Sequence, residues 1–150
     1  YNISGTKLHM KKQLLLFFTC FTGYVTFAQN TAKELFNTHT SRIAVNERAV
    51  NNLFSSTKGQ TATLNIEGIG QLEILVNMNE WNEEKVRTIG GTLKGMEDAV
   101  ITITQMDQPG ALVYEGSIVS ERKNTAFKIT ASNGQVFFEK TDKNNIIVTD

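Results

Sequence analysis

The chain has 150 residues, with 15 Lys and Arg against 15 Asp and Glu, one Cys and one Pro. This length fits one domain, or one domain preceded by a processed leader. The formal net charge of zero argues against a protein that binds nucleic acid through bulk positive charge. A single cysteine excludes an internal disulfide framework and a multi-cysteine zinc site.

Residues 10–28 have the three-part layout of a secretory signal peptide. Two lysines follow Met10, an apolar stretch runs over 14–25, and Ala28 is a small residue at the expected cleavage point. The apolar stretch is shorter than the roughly 20 residues that a membrane span needs. We therefore predict an upstream extension over 1–9, a signal peptide over 10–28, and a secreted, periplasmic or cell-surface protein with no stable membrane span after cleavage.

Cleavage after Ala28 leaves 12 basic against 15 acidic side chains, no cysteine, and His39 as the one histidine. An exported domain without disulfides depends on its apolar core alone, which is feasible at about 120 residues.

The segment 29–57 is predicted to be helical. Thr31 and Glu34 have the spacing of a capping box, in which a hydroxyl and a carboxylate satisfy the first backbone amides of a helix. Apolar residues then recur at helical spacing over 41–54. These patterns predict one or two helices that end near residues 55–59.

From Gln60 onward the apolar period changes from 3.6 to 2. Ala62, Leu64 and Ile66 alternate with polar residues, as in a strand with one buried face. Further runs rich in Val, Ile, Thr and Phe favour strands over 71–78, 85–93, 99–106, 112–120, 125–130, 135–140 and 145–149.

Turn signals separate these runs. Pro109 and Gly110 stand in the order of a type II turn, and Asn133 with Gly134 is a strong hairpin signal. No helix-length segment separates the late strands, which excludes parallel βαβ units. The sequence therefore predicts a mainly β fold over 58–150, an antiparallel sandwich or open barrel of about 7–8 short strands, after the helical segment.

Residues suited to catalysis are sparse after the leader. There is no His-Glu-x-x-His motif, no thiol and no Gly-x-Ser-x-Gly elbow, and His39 is predicted to be a solvated polar residue. We expect no catalytic residue, no metal and no cofactor, and so a domain that is not itself an enzyme.

The acidic and glycine-rich motifs also favour structural roles. Glu80, Glu83, Glu84 and the pair Glu97-Asp98 lie in predicted connections without the Asp-x-Asp-x-Asp-Gly pattern of a calcium loop, which indicates solvated turns. The pair Gly90-Gly91 indicates a bulge or bend.

Aromatic residues supply the candidate binding positions. Trp81 and Tyr114 are predicted as a sugar-stacking pair, although Trp81 can equally pack over a sheet edge. Phe127, Phe137 and Phe138 lie on adjacent predicted strands and straddle both faces, so one face can serve as a docking surface. No basic stripe is interleaved with aromatics, which argues against nucleic acid as a partner.

Several segments between Lys58 and the end of the chain share the pattern of residue types of a known family. They are Ile89 to Gly95, Asp98 to Thr104, Tyr114 to Val119 and Ala126 to Ile129, with Gly110, Gly134 and the pair Ile147-Val148 at matching places. In this pattern, residues 58–150 resemble the β-rich N-terminal prodomain of secreted bacterial metallopeptidases of the reprolysin-like type.

The resemblance implies a segment that assists folding of a downstream zinc peptidase domain in cis, or masks that domain until the segment is removed. No catalytic residue of the family has a matching position here. Without a cysteine to ligate the zinc, inhibition would be steric, by a strand or loop over the cleft. The alternative is a cell-surface or periplasmic module that binds a glycan or protein, with Trp81 and Tyr114 as contacts.

Overall fold

The computed structural model of the chain describes residues 28–147, so the predicted extension and nearly all of the predicted signal peptide lie outside the described residues. The described part forms, in chain order, α1 (Ala28–Asn37), β1 (Arg42–Val45), α2 (Glu47–Leu53), β2 (Thr61–Ile66), β3 (Gly70–Glu83), β4 (Val86–Leu93), β5 (Met96–Gln108), β6 (Ala111–Ser120), β7 (Thr125–Ser132), β8 (Gln135–Asp142) and α3 (Asn144–Ile147).

The eight strands form one antiparallel sheet that curls into an open half-barrel. Strands β2 to β8 follow one another as a meander, and β1 adds at the far end, so the order is β1-β8-β7-β6-β5-β4-β3-β2. This confirms the predicted mainly β fold. Of the two predicted architectures, the open barrel is observed and the sandwich is not. Strands β3 and β5, with 14 and 13 residues, are longer than predicted.

The two N-terminal helices cover the apolar inner face of the sheet. Leu35 and Phe36 of α1 join the same buried cluster as Val50 and Leu53 of α2. The ring of Phe36 meets that of Phe127 edge-on, with centroids 5.5 Å apart. Burial of this face is the main driving force for folding, because removing apolar area from water is favourable.

A lysine from the last strand holds the end of α1. Lys140 of β8 donates from its Nζ atom to the carbonyl oxygen of Thr38 at 2.6 Å and to that of Phe36 at 3.5 Å. These contacts satisfy carbonyl groups at the helix end, where a positive charge also complements the helix dipole.

The first part of the predicted second helix is a strand. Arg42–Val45 pairs with β8, with Ile43 and Val45 buried and the alternate residues exposed. Asn46 then caps α2, since its side chain accepts a hydrogen bond from the backbone N–H of Arg48 at 2.9 Å. An N-cap residue has extended backbone, so Asn46 separates β1 from α2.

Two other predicted boundaries are wrong. Thr31 lies inside α1, which already includes Ala28, so Thr31 and Glu34 do not form the N-terminal capping box. The segment predicted as a strand over 145–149 is helical through Ile147. Strand β8 already pairs with β7 on one side and β1 on the other, so no free edge of β8 remains for a further strand.

The turn and bulge predictions are confirmed. Asn133 and Gly134 both have positive φ, 54° and 72°, as a tight hairpin turn requires. On β3 the register shifts between Val76 and Met78, directly across from Gly91 and Gly90. A Cβ atom on Gly91 would lie 2.5 Å from the carbonyl oxygen of Leu75, so this bulge depends on glycine.

Gly116 allows a still closer approach between β5 and β6. A Cβ atom added there would overlap the carbonyl oxygen of Thr102. Because this obstacle is backbone, it cannot move aside as a flexible side chain would.

We therefore predict that Gly116→Ala lowers the free energy of unfolding by about 1–3 kcal/mol, although Gly to Ala in an open strand is ordinarily stabilising. Urea unfolding measures the change. Ser117→Ala, one residue along, is the control and is expected to change the free energy of unfolding by less than about 0.5 kcal/mol. Equal midpoints for Gly116→Ala and the parent chain would contradict the close approach.

Asp98 ties the β4–β5 turn to the loop after β6. Its Oδ2 atom accepts hydrogen bonds from Ser120 Oγ at 2.5 Å and from the backbone N–H of Arg122 at 3.3 Å. The bond from Ser120 holds the pKa of Asp98 below the ordinary aspartate value of about 3.9. Asp98 thus remains accessible to solvent, as predicted, but it lies in β5 rather than in a connection, and its carboxylate is a structural clamp on that strand.

A lowered carboxyl pKa predicts how stability depends on pH. The ionised clamp stabilises the fold above the unfolded pKa, and that contribution is lost as the pH falls through the lower folded pKa. We expect Asp98→Asn to lower the urea midpoint at about pH 7. The difference in midpoint between this variant and the parent chain should become smaller below about pH 4. The exposed neighbour variant Glu97→Gln is the control. A difference in midpoint between Asp98→Asn and the parent that stays constant down to about pH 2.5 would contradict stabilisation by the ionised carboxylate.

Candidate functional site

Trp81 and Tyr114 lie at the two ends of one row that crosses four strands. Trp81 on β3 is paired with Arg87 on β4, Arg87 with Gln105 on β5, and Gln105 with Tyr114 on β6. Directly paired residues point their side chains to the same face of a sheet. We call these four residues the Trp81 row.

The inner end of the Trp81 row is buried. Tyr114 is fully buried and packs against Phe54, with ring centroids 6.4 Å apart. Its hydroxyl oxygen accepts a hydrogen bond from Gln105 Nε2 at 3.1 Å. Burial raises the pKa of Tyr114, opposed by this hydrogen bond. Tyr114 therefore supports the row from within and has no ring face open to a ligand.

The outer end of the row is open. Trp81 is 62% exposed, the most exposed large apolar side chain among the described residues. The guanidinium of Arg87 lies 5.3 Å from the centre of the Trp81 ring and 5.8 Å from the centre of the Phe54 ring. Both distances are within the range of a cation–π contact. The exposed indole and the guanidinium thus form one continuous surface.

Asn79 fixes the orientation of Arg87. Its Oδ1 atom accepts a hydrogen bond from Arg87 Nε at 2.8 Å. Its Nδ2 atom donates to the carbonyl oxygens of Phe54 at 3.0 Å and Ser56 at 2.6 Å, where α2 ends. The end of α2 therefore positions Asn79, and Asn79 positions the guanidinium.

Sequence reasoning missed Arg87 and Asn79 as site residues. The signal that points to Arg87 is local, because a hairpin that turns at Glu84 and Lys85 brings residue 87 opposite residue 81. No sequence pattern connects Asn79 with the end of α2, since that contact depends on how the helix crosses the sheet.

A second candidate surface is the free edge of β2. Among the described strands β2 pairs with β3 alone, and no strand is hydrogen-bonded to its outer side. Thr61, Thr63 and Asn65 are exposed, whereas the residues between them are buried. The strand contains neither a charged residue nor a proline, the usual guards of a sheet edge.

The hydrogen-bond pattern shows which backbone groups point outward. Val76 donates its backbone N–H to the carbonyl oxygen of Gln60 at 2.9 Å, so Gln60 faces β3. Antiparallel ladders alternate between bonded and non-bonded pairs. The backbone groups of Thr61, Thr63 and Asn65 are therefore directed away from the sheet.

A cleft of about 400 Å³ lies where the end of β2 approaches β1, the other free edge of the sheet. Its walls include Ala44 and Val45 of β1 and Asn65 and Ile66 of β2. The two edges come near each other without pairing, so the half-barrel remains open along this seam.

His39 lies outside both surfaces, whereas the three glutamates lie on the hairpin that carries Trp81 and Arg87 without belonging to the Trp81 row. His39 is exposed in the link between α1 and β1, and Glu80, Glu83 and Glu84 are exposed. Across residues 28–147, no three His, Cys, Asp or Glu side chains come together as metal ligands.

The three phenylalanines form no contiguous exposed patch. Phe127 and Phe138 are fully buried. Phe137 is half-buried beneath Arg42, whose guanidinium lies 3.7 Å from the centre of the ring.

Comparison with known proteins gives no relative from which a role can be transferred. The chain matches no protein-family model, no curated protein and no solved structure. In the part of the chain that the structure describes, no helix is long and apolar enough to cross a membrane.

Proposed function

We propose that this chain is a non-catalytic exported β domain that serves as the N-terminal prodomain of a secreted metallopeptidase. It assists the folding of the downstream peptidase domain or masks its cleft. The observation that carries the proposal is the unpaired and unguarded edge of β2. The resemblance of residues 58–150 to such prodomains supplies the identity of the partner.

Strand addition is the mode of binding that this edge favours. An extended segment of the peptidase pairs with the outward backbone groups of Thr61 and Thr63 and continues the sheet beyond β2, up to Asn65, where β1 comes close. Their side chains are short and uncharged, so they leave room for a strand of almost any sequence. Strand pairing covers a segment of the enzyme without any chemical reaction, as a prodomain that masks a cleft has to do.

The edge is ready to bind before the partner arrives. Ala62, Leu64 and Ile66 anchor β2 in the core and are at most 5% exposed. The strand is therefore already ordered, and the free energy of binding does not have to offset the entropy lost when a flexible backbone is fixed.

Blocking the edge tests the proposal. Thr63→Pro removes an outward N–H at a position where proline is tolerated in an edge strand, and Thr63→Lys adds a charge there. We expect either variant to weaken inhibition of the peptidase domain encoded downstream by about tenfold or more, which corresponds to about 1.4 kcal/mol. The measurement is the inhibition constant, together with the refolding yield of that domain, when the chain is added in trans.

Thr102→Lys is the matched control, because it places the same charge on β5, an interior strand of the sheet. It should inhibit like the parent chain. Unchanged inhibition by Thr63→Pro would exclude the β2 edge as the contact. A downstream reading frame without a His-Glu-x-x-His motif would contradict the prodomain itself.

A glycan-binding module of the cell surface or periplasm is the second candidate. The exposed indole of Trp81 favours it, because aromatic rings open to solvent stack on sugar rings. If this function is the correct one, the parent chain binds oligosaccharides and Trp81→Ala weakens that binding by about tenfold or more. Thr63→Pro then binds them like the parent, since Trp81 lies on β3 beyond the residues that pair with β2.

A further inference from the structure

We infer that the outer end of the Trp81 row binds a carboxylate-bearing sugar, with the sugar ring on Trp81 and the carboxylate on Arg87. This inference rests on the second candidate function and names its ligand class. It does not depend on the free edge of β2.

The guanidinium of Arg87 is fixed before any ligand arrives. Its Nε atom is bound to Asn79, and its plane lies near the rings of Trp81 and Phe54. Asn79 uses all its remaining donors on the backbone at the end of α2. A guanidinium held in this way presents its two terminal nitrogens as a ready-made fork for a carboxylate.

This fork has no anionic partner within the described residues. The ion pairs formed by residues 28–147 join Arg42 to Glu139 and Lys94 to Glu73. Arg87 is half-buried, and within that range the hydrogen bond of its side chain is the one to Asn79. A partly desolvated charge without a counter-ion is costly, and a bound carboxylate would relieve that cost.

Arg42, in the same sheet, is an arginine whose guanidinium has both an aromatic neighbour and a carboxylate partner. Its guanidinium also stacks on an aromatic ring, that of Phe137 at 3.7 Å. Its Nε atom, however, lies 3.0 Å from Oε1 of Glu139. Arg42 therefore resembles Arg87 in its stacking but already has a carboxylate.

The neighbouring groups favour a sugar over an acidic peptide. The indole of Trp81 offers a flat apolar surface that matches the C–H face of a pyranose ring. On the other side of Arg87 from Trp81, Gln105 Nε2 donates to Asn51 Oδ1 at 2.9 Å, and the exposed amide of Asn51 is suited to sugar hydroxyls. A few placed polar groups around an aromatic surface are typical of small-molecule sites.

General electrostatic attraction does not explain binding at this place. Glu83 and Glu84 lie at the tip of the same hairpin with Lys85, so the hairpin tip is not basic. Glu80 is paired with Thr88, one position from the Trp81 row, and so points to the other face of the sheet. The affinity for an anion has to come from the Arg87 fork itself.

The probe is a hexasaccharide of galacturonic acid, titrated into the chain by calorimetry. Its methyl ester has the same rings without charge, and a hexaglutamate peptide has the charge without sugar rings. We expect the acid form to bind about tenfold or more tightly than its methyl ester, and the peptide to bind more weakly than the acid sugar. Binding should weaken as salt is added, because a charge pair near the surface is screened.

Three variants assign the contacts. Trp81→Ala removes the stacking surface, and Arg87→Lys keeps the charge but loses the fork, so each should weaken binding of the acid sugar by about tenfold or more. Arg42→Gln is the matched control and should bind like the parent. Trp81→Ala loses only an exposed ring, and an unchanged urea midpoint verifies that its fold is intact.

Each contrary result has a separate meaning. Equal affinity for the acid sugar and its ester would overturn the carboxylate inference while glycan binding stands. No binding of either form would overturn both. Binding of the peptide as tight as that of the acid sugar, unaffected by Trp81→Ala, would replace the sugar with an acidic peptide.

Discussion

An open, curled sheet with an apolar inner face has to be covered, and this requirement organises the whole molecule. Alternate residues of the strands turn inward, yet the sheet does not close on itself. Helices α1 and α2 supply the missing apolar surface, with Leu35 and Leu53 among the residues they bury. Without these helices the inner face would be exposed to water at a large cost in free energy.

The same arrangement creates both candidate surfaces. Because the helices complete the core, β1 and β2 do not need to pair, and they remain as two free edges. The end of α2 also provides the carbonyl groups that hold Asn79, which in turn holds Arg87. The packing that stabilises the domain therefore also orients the groups that face a ligand, as a preorganised site requires.

Much of the strand pattern could be predicted from local sequence. The alternation of Ala62, Leu64 and Ile66 identified a half-buried strand, and Asn133 with Gly134 identified a turn. The errors fell where distant segments decide the outcome. The segment Arg42–Val45 begins a stretch, 41–54, whose apolar spacing is helix-like, but β8 offers this segment an edge to pair with, nearly a hundred residues away in the chain. Local propensity is weak compared with such pairing.

The sequence by itself determined the antiparallel class, the turns and the inward-facing residues of regularly alternating strands such as β2, because all three depend on the alternation of neighbouring side chains and on local backbone preferences. The tertiary structure alone decided which residues meet across strands. It buried Tyr114, exposed Trp81 and placed Arg87 between them on one row. Register and helix packing are non-local, so a change of one residue in register would move every side chain of a strand to the opposite face.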